Sequence, residues 1–228
     1  MIKKNLLYKL LSSNSKAYQK LSIDKKFNNL IGGLDENSIV LDIGANIGNV
    51  SNFILEKRKS KVFAFEPNKL CCEIMKRRFV DDSRITIYNL AISNFSGASN
   101  FYLHEKSDGI MDFDYIESPS LKHTKDNVSK ENSVEVNVVH ISEILSKFSN
   151  IDLIKIDVEG SEYEIMPFLI SEKSKIKNVL CELHGNPNKF NYKNPGKIKN
   201  QNFHIDYLNL VRSLKEKNLY DNWFYEWY

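Results

Sequence analysis

The fold of this chain is decided by the stretch Ser38-Ile-Val-Leu-Asp-Ile-Gly-Ala-Asn-Ile-Gly-Asn-Val-Ser51. Its apolar run from Ile39 to Ile43, interrupted only by Asp42, is typical of a central parallel strand. Gly44 and Gly48 bracket the turn that follows, where the missing Cβ permits a positive φ and lets a ligand approach the backbone. A helix that begins within this stretch would direct its free N–H groups and its positive dipole end at a bound molecule. The stretch therefore predicts a cradle for a nucleotide-type cofactor.

The spacing of the turn separates two classes of cofactor. A dinucleotide fingerprint requires a third, middle glycine so that a pyrophosphate can touch the chain, and here Asn46 occupies that position. Asp42 would repel a diphosphate, but it could accept hydrogen bonds from a cationic amino group. A buried carboxylate is costly unless a ligand or backbone donors satisfy it. S-adenosylmethionine carries such an amino group and no phosphate, so the motif favours it, with an unliganded glycine turn as the alternative.

A second acidic residue follows the next predicted strand. Lys61-Val-Phe-Ala-Phe-Glu66 is apolar between its ends, and Pro67 stops the strand. Glu66 follows the glycine turn at roughly the distance at which an acidic residue binds a ribose diol in nucleotide-binding folds. An ordinary surface carboxylate is the alternative explanation. The glycine turn and Glu66 together indicate cofactor binding.

Three pieces of sequence resemble, in order and spacing, the FkbM family of S-adenosylmethionine-dependent methyltransferases. They are Val40-Leu-Asp-Ile-Gly-Ala-Asn-Ile-Gly48, Phe65-Glu-Pro-Asn68 and Ile154-Lys-Ile-Asp-Val-Glu-Gly-Ser-Glu162. The likeness covers about residues 37–185, and the third piece is the most family-specific. The resemblance implies an α/β, Rossmann-like class I methyltransferase fold and methylation of a hydroxyl group, often on a sugar or polyketide. It does not identify the acceptor.

The alternation of strand and helix after Ser38 predicts a mostly parallel sheet with right-handed crossovers and helices on both faces. The first elements expected are strands 39–43, 61–65 and 85–89 and helices 47–57 and 68–79. Ligands of such sheets bind outside the carboxyl ends of the strands. By analogy with the family, Leu90 and Ala91 would line the adenine. The residues predicted to bind the cofactor are Asp42, Gly44, Ala45, Asn46, Gly48, Ser51, Glu66, Pro67, Asn68, Leu90, Ala91 and Asp157.

A long polar stretch, 104–133, separates two extended candidates, 98–103 and 134–139. A connection of this length inside a compact domain is usually a functional lid or a disordered insertion. We favour a lid over the acceptor site. Side chains that could meet a polyhydroxylated substrate, or equally be solvated loop residues, are Asp108, Asp112, Asp114, Tyr115 and His123.

Four titratable residues follow two strands that we expect to pair as neighbours, 151–156 and 178–183. Pairing would bring Asp157 and Glu159 to face Glu182 and His184 at the carboxyl-end rim of the sheet. Each residue alone has an ordinary structural explanation. Together they offer either a histidine base oriented by a carboxylate or a divalent-cation site made of Asp157, Glu182 and His184. We prefer the metal-free version, with His184 as general base and with Asp157 and Glu159 positioning the acceptor hydroxyl or the methyl end of the cofactor.

The elements around this rim can also be predicted. Ser161 is suited to capping a helix over 161–170, and Glu164 would complete a capping box. Glu162 is expected to be a solvated helix residue. The last elements expected are a helix over 205–217 and an aromatic-rich, core-packing strand within 219–228.

At 228 residues the chain is long enough for one domain with a substantial core and short for two. We expect a helical extension over 1–36, broken near 12–14, and a single domain over 37–228. Apolar and charged contents of 42% and 27% are those of a soluble globular protein. The net charge of +3 gives nucleic-acid binding weak support, so no nucleic-acid partner is expected.

Cysteine use and the N-terminus favour a cytoplasmic enzyme. The three cysteines, Cys71, Cys72 and Cys181, give no plausible disulfide framework and no C-x-x-C pair that could bind a metal. Residues 1–11 form neither a convincing signal peptide nor a membrane span. We expect methyl transfer to a sugar, glycan or related small metabolite, and the N-terminal helices could mediate a homodimer. The alternatives are a nicotinamide-dependent oxidoreductase, a Rossmann module that only binds a partner, and a methyltransferase with a peptide or nucleic-acid acceptor.

Overall fold

A computed structural model describes residues 16–107, 119–125, 127–185 and 201–227 of the protein. The helices are α1 (Lys16–Ile23), α2 (Lys25–Gly32), α3 (Asn49–Lys57), α4 (Lys69–Arg78), α5 (Ile141–Leu145), α6 (Glu162–Ser171) and α7 (Gln201–Glu216). The strands are β1 (Ile39–Ile43), β2 (Lys61–Phe65), β3 (Ile85–Tyr88), β4 (Ala91–Ser93), β5 (Gly97–His104), β6 (Val128–His140), β7 (Leu153–Ile156), β8 (Val179–Glu182) and β9 (Phe224–Trp227). Strands β1 and β2 have the bounds that the sequence predicts.

The main sheet has the strand order β3-β2-β1-β7-β8-β9. Every neighbouring pair in it is parallel, which confirms the predicted α/β, Rossmann-like architecture. The chain builds outward from β1 through β2 to β3 and then returns to the other side of β1 as β7. Ligands of open parallel sheets bind at such a reversal of strand order, outside the carboxyl ends of the strands. The predicted pairing of β7 with β8 is confirmed, with Ile154 opposite Val179.

Helices cover both faces of this sheet, as predicted. Side chains alternate between the faces of a strand, so Val40 and Leu41 of β1 enter different cores. Val40 belongs to a core that contains Phe27 and Phe53 and is built on α1–α4. Leu41 belongs to a core that contains Met166 and is built on α5–α7. The alternation places Asp42 on the same face as Val40, toward α3.

A smaller sheet has the order β4-β6-β5, with β4 parallel and β5 antiparallel to β6. The prediction of a single lid over 104–133 is wrong in its extent, because β6 already begins at Val128. Val128 is buried and pairs with His104, and after a shift of register across residues 129–132 the pairing with β5 continues at Ser133, opposite Tyr102. The sequence pattern misses this part of β6 because its side chains are mostly polar and sit at a solvated sheet. The connection between the strands is therefore 105–127.

The N-terminal helices pack into the core on the α3 face of the sheet. Leu21, Phe27 and Ile31 are buried there beside β1. The chain breaks between α1 and α2 at Asp24, whose carboxylate caps α2 by accepting a hydrogen bond of 2.9 Å from the Phe27 N–H. The break predicted near 12–14 lies outside the described residues.

At the other end of the chain, the predicted aromatic strand is confirmed as β9, parallel to β8. Helix α7 begins at Gln201, earlier than the predicted 205. Cys71, Cys72 and Cys181 are all buried free thiols. Among the residues that the structure describes, no helix is long and apolar enough to cross a membrane.

Candidate active site

The glycine loop between β1 and α3 is held between the ends of β2 and β7. The N–H groups of Gly44 and Ala45 both donate to the Phe65 carbonyl, at 3.0 and 3.1 Å. Gly44 has φ +75°, and a Cβ at this position would lie 1.8 Å from the carbonyl oxygen of Asp157. Gly48 has φ +79° at the N-cap of α3, where a side chain would also meet neighbouring atoms. Both positions therefore require glycine, and the loop passes directly over the end of β7.

Glu66 at the end of β2 closes the other side of the loop. Its carboxylate accepts hydrogen bonds from the backbone N–H groups of Asn46, at 2.8 Å, and Asn68, at 2.7 Å. The residue is only 7% exposed. Burial raises the pKa of Glu66 to about 7, although the two backbone donors act in the opposite direction. Glu66 is therefore a buried carboxyl group that loses its proton near neutral pH.

Asn68 carries a donor without a partner next to this carboxylate. Its Oδ1 caps α4 by accepting from the Leu70 N–H at 2.9 Å, whereas its buried Nδ2 makes no hydrogen bond to any described residue. A buried donor left unsatisfied costs about 1–3 kcal/mol, so this amide suits a hydrogen-bond acceptor on a ligand. Of the other residues predicted to bind the cofactor in this region, Pro67 and Leu90 are half-buried and Ala91 is buried at the start of β4.

Asp42 lies behind the glycine loop with its side chain fully buried. Its Oδ2 accepts a hydrogen bond of 2.6 Å from the hydroxyl of Ser51, which is also fully buried. Its Oδ1 lies 3.4 Å from Nζ of Lys155. The structure thus gives both predicted residues partners inside the protein, and they brace the loop from the side opposite to the solvent.

Lys155 was not among the residues predicted for the site. It lies in the middle of β7 with its side chain 3% exposed, and its Nζ donates to the Gly44 carbonyl at 2.7 Å. The signal for it was present in the sequence, because a lysine between Ile154 and Ile156 interrupts an apolar strand just as Asp42 interrupts β1. Both residues are charges inside predicted central strands, and the structure pairs them.

His184 is held between two carboxylates at the carboxyl-end rim. Its Nε2 lies 3.0 Å from Oε2 of Glu159, and its Nδ1 lies 3.1 Å from Oε1 of Glu162. Burial lowers the pKa of His184, but the charges of Glu162 and Glu159 outweigh it and hold that pKa well above its ordinary value. The geometry disagrees with the predicted role of His184 as a general base, because a protonated ring with both nitrogens engaged has no lone pair to offer.

Of the two carboxylates that flank His184, Glu159 is more exposed than Glu162. Burial raises the pKa of Glu159, yet His184 and then Lys125 more than compensate and lower it to about 2. Its Oε2 lies 2.5 Å from Nζ of Lys125 as well as close to His184. A carboxylate this firmly ionised accepts a proton poorly, so Glu159 serves as an anchor for the two cations.

The prediction for Glu162 is wrong, because the residue is completely buried instead of solvated. Its carboxylate accepts hydrogen bonds from the backbone N–H groups of Gly160, at 2.8 Å, and His184, at 2.7 Å. Glu162 therefore fastens the turn after β7 to the segment after β8. These long-range contacts could not be read from its position in the first turn of a helix.

The predicted capping box at α6 is also wrong. Ser161 is the N-cap residue, but its side chain makes no capping hydrogen bond. The carboxylate of Glu164 is used elsewhere, since it accepts from Ser93 Oγ at 3.1 Å and pairs with Lys122. The Glu164 carboxylate thus contacts β4 and the 119–125 segment instead of the N-terminus of α6, which the capping box would require.

The predicted convergence of the rim residues is found. One donor atom each from Asp157, Glu182 and His184 lies within 4.8 Å of the other two. Asp157 and Glu182 are half-buried, and they stand at the ends of the adjacent strands β7 and β8. Oxygen and imidazole donors in such a group are of the types that divalent cations use in proteins. The three residues predicted as ligands in the alternative of a cation site are therefore close enough to bind one ion together.

The described part of the 105–127 connection contacts this rim. Ser120 Oγ donates to the Glu159 carbonyl at 2.7 Å, and Lys122 and Lys125 pair with Glu164 and Glu159. His123, one of the predicted lid residues, is exposed, and its ring lies 5.9 Å from that of Tyr102. The other predicted lid residues, Asp108, Asp112, Asp114 and Tyr115, lie outside the described residues.

The parallel sheet with its reversal of strand order beside β1, the glycine loop, and the carboxylate-rich rim of Asp157, Glu159 and Glu182 together define a Rossmann-like fold with a ligand site at the carboxyl ends of the strands. The family can be stated as well. A family model described as the methyltransferase FkbM domain matches residues 42–218, and the chain belongs to this family.

Two curated relatives are similar over about two thirds of the chain. Methyltransferase sdnD of Sordaria araneosa is 25% identical over 183 residues, which cover 67% of this chain and 68% of that protein. Hexuronic acid methyltransferase AglP of Haloferax volcanii is 24% identical over 159 residues, which cover 68% of this chain and 59% of that protein. The match thus spans less than two thirds of the length of AglP.

Likenesses to solved structures are loose. An rRNA methylase from Streptococcus thermophilus aligns with 27% of this chain and 35% of its own at 26% identity and a TM-score of 0.25. A putative RNA methyltransferase, PH1948 from Pyrococcus horikoshii, aligns with 74% of this chain over 59% of its own length, at 12% identity and a TM-score of 0.37. Neither superposition bears on the acceptor, and the fold assignment rests on the strand order itself.

Proposed function

We propose that the protein transfers a methyl group from S-adenosylmethionine to a hydroxyl group of a sugar, glycan or related small metabolite. One observation carries the proposal. The glycine loop and the carboxylate rim meet at the end of β7, where a Cβ on Gly44 would lie 1.8 Å from the Asp157 carbonyl. A cofactor seated on the loop would therefore present its reactive end to the rim. The sugar acceptor is supported by the family resemblance and by the similarity to AglP, which is named as a hexuronic acid methyltransferase.

The residues around the loop fit this cofactor. The loop has no room for a side chain at Gly44 because the backbone of Asp157 fills that place, which holds the loop close to the end of β7. The Glu66 carboxylate suits the hydroxyl groups of a ribose, and the unpartnered Nδ2 of Asn68 suits an acceptor atom of the ligand. The carboxylate of Glu66 and the residue Asp157 flank the loop and disfavour a phosphate there. We assign Ala45, Asn46 and Gly48 to the part of the glycine loop that contacts the cofactor. Pro67, Leu90 and Ala91 would lie beside its adenine.

The protein's own contribution to the reaction is to position the acceptor and to take its proton. The cofactor supplies an electrophilic methyl group on a sulfonium. Correct orientation of two reactants can account for about 7–11 kcal/mol of a barrier, and a proton acceptor for about 10²–10⁴ in rate. Because His184 is engaged by Glu159 and Glu162, we assign the contact with the acceptor hydroxyl to the half-buried carboxylates of Asp157 and Glu182. His184 then serves to hold the rim in shape.

We expect S-adenosylhomocysteine to raise the melting temperature while NAD leaves it unchanged. A ligand that binds only the folded state stabilises it, by about 2.7 kcal/mol at one hundred times its Kd. With methyl-labelled S-adenosylmethionine, mass spectrometry should find the label on a saccharide. Protection by NAD alone would point to the oxidoreductase. Label on a peptide or nucleic acid would overturn the acceptor class and leave the cofactor assignment intact.

The affinity for S-adenosylhomocysteine should fall as the pH is lowered through 7. Glu66 must be ionised to accept two ribose hydroxyls, and burial raises its pKa to about 7, so a growing fraction is protonated below that pH. The loss should approach about tenfold per pH unit well below the pKa. In Glu66→Gln the affinity should be about tenfold weaker near pH 8 and nearly independent of pH. Calorimetry that finds the same pH slope in wild type and Glu66→Gln would remove Glu66 from the ribose site.

A further inference from the structure

Lys155 is a buried cation in the centre of the sheet. It lies between Ile154 and Ile156 in β7, and its register partner on β1 is Asp42. Partners on adjacent strands project to the same face of a sheet, so Lys155 and Asp42 share the face toward α3. The Lys155 side chain is 3% exposed, and the effective cost of burying an ion is several kcal/mol. A lysine at this position needs partners that compensate for this cost.

The partners of Lys155 come from three separate parts of the site. Its Nζ donates to the Gly44 carbonyl at 2.7 Å and lies 3.4 Å from Oδ1 of Asp42 and 3.9 Å from Oδ2 of Asp157. The ring of Trp227 faces it at 5.9 Å. The Gly44 carbonyl accepts a hydrogen bond from the ammonium group, and the two carboxylates lie near it as compensating charges. One side chain thus connects β1, the glycine loop and the rim residue at the end of β7.

The distances rank these contacts. The shortest is the hydrogen bond to the Gly44 carbonyl, and the contact with Asp42 is longer by several tenths of an ångström. The Gly44 N–H is already bonded to the Phe65 carbonyl, so the first residue of the loop is fastened on both sides. A loop fixed in its binding conformation before the ligand arrives loses less entropy on binding.

We propose that Lys155 is the positioning residue that fixes the glycine loop relative to the carboxylate rim, an inference that rests on the cofactor-binding function proposed above. The alternative is that Lys155 only neutralises the buried carboxylate of Asp42. The two roles differ in whether Lys155 still affects the glycine loop when residue 42 carries no charge. A neutral Asp42→Asn side chain has no charge to compensate, but the Gly44 carbonyl still needs its donor.

The test compares Asp42→Asn with the double variant Asp42→Asn/Lys155→Met, by calorimetry with S-adenosylhomocysteine and by amide hydrogen exchange of residues 44–51 without ligand. Asp42→Asn is the reference: Lys155 then lacks its nearest carboxylate, so this variant should be less stable than wild type, yet it should still bind S-adenosylhomocysteine because the Gly44 carbonyl keeps its donor. Relative to Asp42→Asn, the double variant should melt at a similar or higher temperature, bind at least about tenfold more weakly, and exchange its loop amides faster. Lys26→Met is the control, because its pairing with Asp221 at 3.2 Å is exposed and far from the site; it should leave affinity and exchange unchanged.

Equal affinity and equal exchange in Asp42→Asn and the double variant would overturn the proposal, since Lys155 would then act only on Asp42. A double variant that does not fold would overturn it too, because the core itself would require Lys155. Hydrogen exchange separates this proposal from the proposed function. Wild-type protein that does not bind S-adenosylhomocysteine would refute the function, whereas loop amides that exchange faster in the double variant would still support the positioning role.

Discussion

Gly44→Ala should severely weaken the binding of S-adenosylhomocysteine. The new Cβ would lie 1.8 Å from the Asp157 carbonyl oxygen and 2.7 Å from its carbon, and both obstacles are backbone. No rotation of a side chain can relieve such a contact, so either the loop or the end of β7 must move. The φ of +75° adds a conformational cost of about 1–2 kcal/mol for an alanine. We expect affinity to fall by at least about 10²-fold, the scale of misplacing reacting groups by an ångström, and the melting temperature to drop.

Two other glycines provide controls for this change. Gly33 has φ −90° and open space around a Cβ, so Gly33→Ala should alter neither stability nor affinity. Gly97 has φ +132° but also open space, so Gly97→Ala should lower the melting temperature slightly and leave affinity unchanged. Together they separate the cost of the backbone conformation from that of the clash. Calorimetry showing near-normal affinity in Gly44→Ala would mean that the loop does not pack on β7 as described.

The glycine loop could be predicted from the sequence because its signals are local. A short apolar run, two glycines and a helix start follow one another directly, and the bounds of β1 and β2 agree with the prediction. The position of Glu66 beside the loop could be predicted for the same reason, since it follows a predicted strand at a recognisable distance from the turn. Pairing of β7 with β8 followed from the fold class and brought His184 close to Glu159.

The roles of the buried charges could not be predicted, because burial depends on which strand lies next to which. Glu162 reads as an exposed residue in the first turn of a helix, yet it accepts the His184 N–H from another segment. Lys155 becomes a paired cation only once β7 is placed beside β1 in register with Asp42. The geometry counts against His184 as a base for a related reason, since Glu162 supplies a second carboxylate beside its ring.

His184→Ala should lower turnover by at least about 10²-fold while the affinity for S-adenosylhomocysteine stays near normal. Without the ring, Glu159 and Glu162 lose the cation between them, and the rim residues Asp157 and Glu182 lose their support. The change should also destabilise the protein by about 3–5 kcal/mol, because the fully buried Glu162 carboxylate loses its cationic partner and keeps only its two backbone N–H donors. In the double variant His184→Ala/Glu162→Gln, stability should largely recover and turnover should not. Recovery of both would show that the loss in His184→Ala came from unfolding alone.

His184→Gln distinguishes a positioning role from a base and from a cation ligand. A glutamine can hydrogen-bond to one of the two carboxylates but cannot take up a proton, so a positioning role predicts turnover at least about tenfold above His184→Ala. Glutamine as inactive as alanine would restore His184 as the general base. Loss of wild-type turnover in EDTA, restored by Mg²⁺, would favour a cation held by Asp157, Glu182 and His184. We expect turnover to persist in EDTA, because both His184 nitrogens already face carboxylates at 3.0 and 3.1 Å, and a metal would have to displace its proton and break one of these contacts.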